Sequence, residues 1–444
     1  MDIRGLLAAT PLFAGLADEA LTQLAARTRV VNVASGETLI AIGTPADCLY
    51  IVAVGRLRVL LADGTLVAEI GRLEPSGEIS LLSGEARTAT VFAVRDTKVL
   101  RIDRSDLLEV FNRHPAALLE MTRTVITRLR QNQRAANLAA VRRSRCFTIV
   151  PAHPGLDILP FANAFRGALA SSGRVRLIDA AAVDASLGSG MAQMRIGDSE
   201  ADENLIAWMQ DQEMTNRHLV YLADRDASNW SRRCMRQADR VIVLAESSAP
   251  AKMSAMLADL QRSGARAPVD LVLLRLEDRP AGEVIDWLEC AGALHHYFLR
   301  PGSVRDVGMI ARSLTGRALG VVLGGGGARG FAHIGLIRAL EELDVQIDVL
   351  GGSSMGAFVA SLAACGYGAK DMLRIARETF VDRNVLNDYL FPSVSLIRGR
   401  KFLRRLTELF GDRRIEELPT PYYCVSTNLT RGTATVHDAG PLDV

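Results

Sequence analysis

The stretch that most constrains the fold is Gly351–Gly356, a tight turn of glycine and serine between two apolar segments. The apolar run Ile347–Leu350 precedes it, and the small apolar residues of Ala357–Ala364 follow it. This order predicts a buried strand, a sharp turn and a buried helix. The turn fits the pattern Gly-x-Ser-x-Gly, which holds a serine hydroxyl at a helix N-terminus, where backbone N–H groups favour negative charge. The sequence therefore predicts Ser354 as a nucleophile.

A second glycine-rich stretch, Gly324–Gly330, lies upstream between the strand-like Leu319–Leu323 and the helix-like Phe331–Leu343. It suits an oxyanion hole, because unhindered N–H groups can stabilise the charge that develops when a serine attacks an ester carbonyl. Gly325–Gly330 also fits the dinucleotide pattern Gly-x-Gly-x-x-Gly, and a plain packing turn is a third interpretation. The dinucleotide fold expects an acidic residue at the end of the second strand, whereas Asp348 lies near its start. We favour the oxyanion loop, because loop and elbow occur together.

The segments GGGGARGFAHIGLIRALEE and GGSSMGA resemble the patatin-like phospholipases, in particular the neuropathy target esterase branch. The resemblance implies a serine esterase that acts on phospholipid or lysophospholipid acyl esters through an acyl-serine intermediate, with a Ser–Asp dyad, no metal and no cofactor. His333 is then a helix residue near the site and not a base. The site residues that the resemblance implies are the nucleophile Ser354, the elbow glycines Gly352 and Gly356, and the oxyanion loop with Gly325, Gly326, Gly327 and Arg329.

The aspartate of the dyad is the open point of this assignment. In the family it comes from a later Asp-Gly-Gly or Asp-Gly-Ala turn, and neither follows Ser354 in this chain. Asp438 begins a similar Asp-Ala-Gly triplet, but it lies before the expected position, at the end of the predicted strand Thr433–His437. We therefore expect a patatin-like region truncated before the catalytic aspartate. Two alternatives stay open: an esterase, or an inactive homologue that acts as a nucleotide-sensing or lipid-binding regulatory protein.

Residues 1–118 predict a small β-barrel with flanking helices, since short apolar strands alternate with glycine turns. Within it, GEISLL followed by RTA resembles the phosphate-binding cassette of cyclic nucleotide-binding domains. The resemblance implies cAMP or cGMP as an effector, with Glu78 on the ribose and Arg87 on the phosphate. The cassette residues are Gly77, Glu78, Arg87 and Thr88. The lead-in before Gly77 is shorter than usual, so a barrel that no longer binds nucleotide is the alternative.

The remaining chain divides into three predicted segments. Residues 119–146 form a basic helical linker, which is either drawn to anionic lipid head groups or a solvated connector or dimer helix. Residues 147–317 alternate strand and helix patterns, which predicts an α/β scaffold or regulatory domain with a parallel sheet. Residues 318–444 form an incomplete α/β patatin-like domain. Within it, Leu386–Ile397 is either a lid for an acyl chain or ordinary core.

Composition limits the functional classes. The chain has 444 residues, a net charge of +2 and 49% hydrophobic residues, so it can bury large cores and does not suit a general nucleic-acid binder. Six scattered cysteines predict reduced thiols, and no apolar run approaches the ~20 residues of a membrane span. We expect a cytoplasmic protein, with peripheral membrane contact if the linker binds lipid. The oligomeric state is left open.

Overall fold

The computed structural model describes residues 1–444 except 14–15, 63, 65, 115–121, 123–144, 197–199, 263–266, 276–283, 390–397, 431 and 444. The predicted basic linker 119–146 therefore lies outside the described residues except for Thr122, Arg145 and Cys146. Most of the predicted lid lies outside them as well. The chain forms two compact units: the first contains 1–244, 253–270 and 291–294, and the second contains 245–252, 271–290 and 295–444.

The described helices and strands follow in chain order. The helices are α1 Ile3–Ala9, α2 Asp18–Arg27, α3 Glu78–Ser83, α4 Arg104–Arg113, α5 Leu159–Ala170, α6 Ala180–Leu187, α7 Glu200–Thr215, α8 Asn229–Gln237, α9 Ala255–Arg262, α10 Val284–Ala291, α11 Val304–Leu314, α12 Phe331–Glu342, α13 Met355–Ala364, α14 Ala369–Arg377 and α15 Arg400–Phe410. The strands are β1 Arg29–Val33, β2 Thr38–Ile40, β3 Cys48–Val54, β4 Leu57–Leu60, β5 Leu66–Ile70, β6 Pro75–Ser76, β7 Thr90–Ala93, β8 Thr97–Asp103, β9 Cys146–Pro151, β10 Val175–Ile178, β11 His218–Leu222, β12 Arg240–Glu246, β13 Val269–Leu274, β14 His295–Leu299, β15 Gly320–Leu323, β16 Val349–Gly352, β17 Tyr422–Asn428 and β18 Thr433–His437.

The N-terminal part is an antiparallel barrel of two sheets, with strand orders β1-β8-β3-β6 and β2-β7-β4-β5. β3 is apolar along its whole length and buried on both faces, because barrel side chains cover one face and α1, α2 and α4 contribute to the core on the other. The short lead-in that the sequence places before Gly77 still pairs with β3, through Tyr50↔Ser76 and Ile51↔Pro75. The barrel predicted from the sequence is confirmed.

The middle part is a sheet with the order β10-β11-β9-β12-β13-β14, in which β9 pairs in parallel with β11 and β12. In this sheet domain the helix α9 begins at Ala255, after a non-helical stretch that contains Ala249 and Pro250. Pro250 disfavours helical geometry for the residue before it, and the Ala249 carbonyl accepts a hydrogen bond from the Trp287 indole at 3.1 Å. The predicted parallel α/β domain is confirmed.

The last part has a sheet with the order β15-β16-β17-β18, in which β15, β16 and β17 are parallel and β18 closes an antiparallel hairpin. Its register pairs Leu323 with Gly352, and Gly352 with Cys424. The two glycine-rich stretches of the sequence therefore follow neighbouring strands at their carboxyl ends. None of the described helices is both long and apolar enough to cross a bilayer.

Candidate active site

Ser354 lies at the turn between β16 and α13, as the sequence predicts. Its backbone has φ 52° and ψ −127°, a positive φ that non-glycine residues rarely adopt. Such backbone strain costs about 1–3 kcal/mol and is concentrated at functional sites. Ser354 is the N-cap of α13, and its carbonyl accepts a hydrogen bond from the Phe358 N–H at 3.1 Å. The serine is exposed, so a reactant can reach it.

The elbow glycines are required because backbone approaches them closely. A Cβ on Gly356 would lie 2.0 Å from the Leu323 carbonyl oxygen, and a Cβ on Gly352 would lie 2.6 Å from the Ala357 nitrogen. The Ser353 N–H donates to the same Leu323 carbonyl at 3.1 Å, which fixes the turn against the end of β15. The atoms that these Cβ atoms would meet belong to the backbone, which cannot move aside as a flexible side chain can. Gly352 and Gly356 therefore do not admit a larger residue.

The glycine loop after β15 lies directly against Ser354. A Cβ on Gly325 would be 3.2 Å from the Ser354 Cβ, and Gly327 adopts φ +55°. In the described part of the chain, the N–H groups of Gly325 and Gly326 have no hydrogen-bond acceptor, so both can donate to an anion. The N–H of Arg329 differs, because it donates to the Gly326 carbonyl at 3.2 Å. The structure thus brings the loop and the elbow together.

Two contacts hold the loop in place. The Nε2–H of His333 on α12 donates to the Gly324 carbonyl at 2.9 Å, so His333 supports the loop from the helix that follows it. At the other end of the loop, Gly330 is buried, and a Cβ there would lie 2.1 Å from the Met355 Cγ. The sequence predicted His333 as a helix residue near the site, and its position on α12 agrees with that; that it is not a base stays a prediction.

Asp348 occupies the amino end of β16 and is fully buried. Its carboxylate accepts two hydrogen bonds from Arg312 at 2.7 and 2.9 Å and one from the Leu319 N–H at 2.9 Å. Both oxygens are therefore engaged within the protein, at the strand end opposite Ser354. This carboxylate cannot hold a ribose beside the glycine loop. Asp348 therefore does not serve as the acidic residue that a dinucleotide site would need.

The described residues place no base against the Ser354 hydroxyl, which forms no side-chain hydrogen bond with any of them. Asp438 is exposed and follows β18, where His437 pairs with Cys424. Because β18 is antiparallel to β17, Asp438 continues toward the amino end of β16 and away from Ser354. The absence of a base role for Asp438 therefore stays a prediction, which this position supports.

An aromatic cluster begins one helical turn after Ser354. Phe358 packs on Phe380 with a centroid distance of 5.1 Å and on Phe402 at 6.4 Å, and the latter two are 5.9 Å apart. Phe380 and Phe402 are only partly buried. Sequence reasoning missed this cluster, because its members lie on three separate elements and share no motif.

A polar contact also joins α13 to the strand β17. The Tyr422 hydroxyl donates to the Ala357 carbonyl at 3.1 Å, and burial raises the pKa of Tyr422 well above its usual range. The phenol is therefore protonated at physiological pH and ties β17 to the first turn of α13. This contact fixes the helix that carries Ser354 at its N-cap.

The cassette of the barrel is assembled around Arg87. Gly77 is the N-cap of α3 with φ +87°, and its carbonyl accepts from the Arg87 guanidinium at 2.8 Å. The same guanidinium donates to the Cys48 carbonyl at 2.5 Å and is 4% exposed. Glu78 is buried, whereas Thr88 is exposed. The predicted cassette residues therefore lie close together, with Arg87 bonded to the backbone of the barrel.

Comparison with known families gives three consecutive matches along the chain. Residues 30–114 match the cyclic nucleotide-binding domain, 144–303 match the neuropathy target esterase (NTE) family P-loop like domain, and 321–441 match the patatin-like phospholipases. An uncharacterized NTE family protein of Mycobacterium tuberculosis (strain CDC 1551 / Oshkosh) is 31% identical over 99% of this chain and 71% of its own length. The chain belongs to the NTE family.

Two further relatives are longer than this chain. Patatin-like phospholipase domain-containing protein 6 of Mus musculus is 30% identical over 92% of this chain and 34% of its own length. Patatin-like phospholipase domain-containing protein 7 of Rattus norvegicus is 29% identical over 93% of this chain and 34% of its own length. The chain thus spans about a third of the length of these two relatives. Among solved structures, the N-terminal domain of a transcriptional regulator from Streptomyces coelicolor A3(2) is 36% identical over 29% of this chain and 96% of its own, with a TM-score of 0.26.

These matches confirm the family predicted from the glycine loop, the elbow and the cassette. They also confirm the predicted fold class of an NTE family chain: a cyclic nucleotide-binding fold, a parallel-sheet α/β domain and a patatin-like region. The matches concern whole domains, so the roles of the individual site residues stay predictions.

Proposed function

We propose that this NTE family chain carries the nucleophile and oxyanion loop of a serine esterase that acts on acyl esters of phospholipids or lysophospholipids. The observation that carries the proposal is the close approach of Gly325 to Ser354. A Cβ placed on Gly325 would lie 3.2 Å from the Cβ of Ser354. A carbonyl attacked by the Ser354 hydroxyl would develop its negative charge next to the free N–H groups of Gly325 and Gly326. The N-terminus of α13 adds a positive dipole end at the same place.

The acyl chain has apolar surface available close to the serine. Phe380 and Phe402 are partly buried and contact Phe358, which lies one helical turn from Ser354. Apolar pockets with a few convergent polar groups are the usual form of small-molecule sites. We propose that the acyl chain lies along this aromatic cluster and that its ester carbonyl faces the glycine loop.

Covalent labelling tests the nucleophile. We expect a fluorophosphonate probe to label the protein and the Ser354→Ala variant to lose the label. Ser353→Ala is the matched control, because it removes the neighbouring hydroxyl of the same elbow. Release of fatty acid from lysophosphatidylcholine then measures turnover. Labelling that persists in Ser354→Ala, or that is lost equally in Ser353→Ala, would contradict the assignment.

A second candidate function is an inactive regulatory homologue that binds lipid without hydrolysing it. The observation that favours it is that no carboxylate or imidazole among the described residues contacts the Ser354 hydroxyl. A serine without a base within about 2.6–3.2 Å is a weak nucleophile. An intact protein that shows neither labelling nor turnover, but still binds lysophospholipid in a fluorescence assay, would support this second candidate.

For the barrel we propose a cyclic nucleotide, cAMP or cGMP, as the effector. The cassette residues lie together, and Thr88 is exposed where a cyclic phosphate would approach. Calorimetry with each nucleotide tests the proposal. We expect Thr88→Ala to weaken binding and Glu85→Gln, an exposed neighbour, to leave it unchanged. Absence of binding heat in the unmodified protein would remove the effector role.

A further inference from the structure

The first compact unit contains a cleft of about 800 Å³ between the N-terminal barrel and the parallel α/β domain. The barrel contributes Arg56, Arg72 and Arg95, and the α/β domain contributes Arg145, Glu213 and Arg217. Cavities of about 300–1,000 Å³ are the usual size of small-molecule sites. Gly77, Glu78, Arg87 and Thr88 do not line the cleft, so it is separate from the nucleotide cassette.

Two ion pairs within the protein neutralise part of the charge of the cleft. Arg95 is 2% exposed and pairs with Glu213, and Arg56 pairs with the buried Asp239 at 3.1 Å. The Asp239 carboxylate also accepts hydrogen bonds from the N–H groups of Arg145 and Cys146 at 2.8 and 3.0 Å. The Arg95 Nε and the Asp239 Oδ1 are nevertheless buried without a hydrogen-bond partner among the described residues, so the two ion pairs do not satisfy every polar atom of these groups.

Positive charge remains on both sides of the cleft. Arg72 on the barrel and Arg145 on the α/β domain are exposed, and neither guanidinium is paired with a carboxylate among the described residues. The Nε–H of Arg72 donates to the Ala53 carbonyl at 3.2 Å, which orients its guanidinium. Among the described lining residues there are five arginines and two glutamates, so the cleft is net positive. An anion between the two walls would meet guanidinium donors from both.

Arginine guanidinium groups are opposite in charge to phosphate, and their planar arrangement of N–H donors can form two hydrogen bonds to phosphate oxygens. Because the arginines lie on both walls of the cleft, a ligand with two or more phosphates offers a separate anionic group to each wall. The cleft opens where Arg145 precedes β9 and Arg217 precedes β11, at the amino ends of these strands. Open α/β sheets usually bind ligands at the carboxyl ends of their strands. Because this cleft lies at the amino ends, its ligand would be held by the arginines and by the barrel.

We propose that this cleft binds a small molecule with two or more phosphate groups, and that the ligand links the barrel to the α/β domain. The shared chemistry is the polyphosphate, which either a free nucleotide or a phosphorylated lipid head group can supply. Because the ligand contacts both walls, it stabilises the folded first unit by mass action. The proposal concerns a site distinct from Ser354 and does not depend on esterase activity.

The test is calorimetry on the full chain with inorganic tripolyphosphate and with ATP, at about 150 mM salt to screen non-specific attraction. Flotation with phosphatidylcholine vesicles, with and without phosphatidylinositol 4,5-bisphosphate, tests the lipid source. We expect at least one of these probes to bind, and the double variant Arg72→Gln/Arg145→Gln to bind it at least tenfold more weakly. The matched control is Arg104→Gln/Arg166→Gln, which removes two exposed arginines outside the cleft.

The outcomes separate the alternatives. Binding of ATP alone indicates a free nucleotide, and binding to the phosphoinositide vesicles alone indicates a lipid head group; both support the site if Arg72→Gln/Arg145→Gln loses them. The proposal is overturned if no probe binds, if the two double variants weaken binding equally, or if excess cAMP displaces the tripolyphosphate. An unchanged thermal midpoint of Arg72→Gln/Arg145→Gln without ligand shows that a loss of binding is not a loss of fold.

Discussion

At the scale of single residues, the geometry of the site depends on close packing that leaves no room for side chains at the glycines. Ser354 adopts a positive φ, and Gly325 and Gly356 admit no side chain without a close contact. The hydroxyl is held in a strained turn while free N–H groups approach it from the loop. A strained backbone persists only where surrounding contacts fix it, and here the Ser353 N–H bond to Leu323 and the N-cap of α13 do so.

The strain at Ser354 can be measured directly. Glycine adopts a positive φ at little cost, whereas alanine retains the Cβ. We expect Ser354→Gly to unfold with a free energy about 1 kcal/mol higher than Ser354→Ala. Chemical denaturation of the two variants measures the difference. Equal stability would indicate that the turn relaxes when the hydroxyl is absent.

Gly356 gives a second prediction at this scale. A Cβ there would lie 2.0 Å from the Leu323 carbonyl oxygen, so Gly356→Ala must displace β15 or α13. We expect a loss of roughly 3 kcal/mol in the free energy of unfolding. Gly335→Ala is the control, because Gly335 lies in α12 with no atom within 4 Å of the added Cβ, and alanine favours helices. The control should be neutral or more stable, and a similar loss in both variants would contradict the steric argument.

At the scale of elements, sequence patterns predicted what is local. The strand, turn and helix around Ser354, the glycine loop and the hairpin β17–β18 follow from apolar runs and turn residues. No local pattern specifies that β15 and β16 are parallel neighbours, or the register that pairs Leu323 with Gly352 and brings loop and elbow together. The Phe358 cluster and the inward bonds of Arg87 could not be predicted, because they join residues that are distant in sequence.

His296 on β14 connects two elements of the second unit through its imidazole ring. Its Nε2–H donates to the Glu416 carbonyl at 2.6 Å. Burial lowers the pKa of His296, and nearby His295 lowers it further, against the raising effect of Glu416. The folded state therefore binds the proton more weakly than the unfolded state, whose histidine pKa is about 6.5.

The sign of the pH effect follows from this difference. Stability from His296 is present above the unfolded pKa and is lost as the pH falls from about 6.5 through the lowered folded value. We expect the free energy of unfolding to fall over this range, and His296→Gln to fall less, since glutamine can donate to Glu416 without titrating. Denaturation at a series of pH values measures both. Parallel curves for the two proteins would exclude His296 as the cause.

At the scale of the whole molecule, each compact unit has its own means of assembly. In the first unit the barrel and the α/β domain meet through three ion pairs that are buried or partly buried: Arg95 with Glu213, Arg56 with Asp239, and Arg236 with Asp96 at 2.6 Å. Although burial alone would raise the pKa of Asp239, Arg56 and Arg95 lower it below its usual value, so this carboxylate is ionised at neutral pH. Such networks fix one relative arrangement more than they add net stability.

Removing Arg95 should therefore separate the two parts of the first unit. Arg95→Ala leaves Glu213 unpaired and Asp239 with one fewer positive neighbour, and we expect a loss of about 3 kcal/mol or more. In scanning calorimetry, we expect the barrel and the α/β domain to unfold in separate transitions. Arg113→Gln, which breaks an exposed pair with Glu109, is the control and should change the profile little. A single unshifted transition in Arg95→Ala would show that the Arg95–Glu213 pair is not needed to join the two parts.

The close contacts that a Cβ would make at Gly325, Gly352 and Gly356 also have a genetic consequence. Every missense change in a glycine codon adds a side chain, so none of these three positions has a conservative neighbour in the genetic code. In a library of random variants selected for hydrolysis, these three codons should be depleted together with the codon of Ser354.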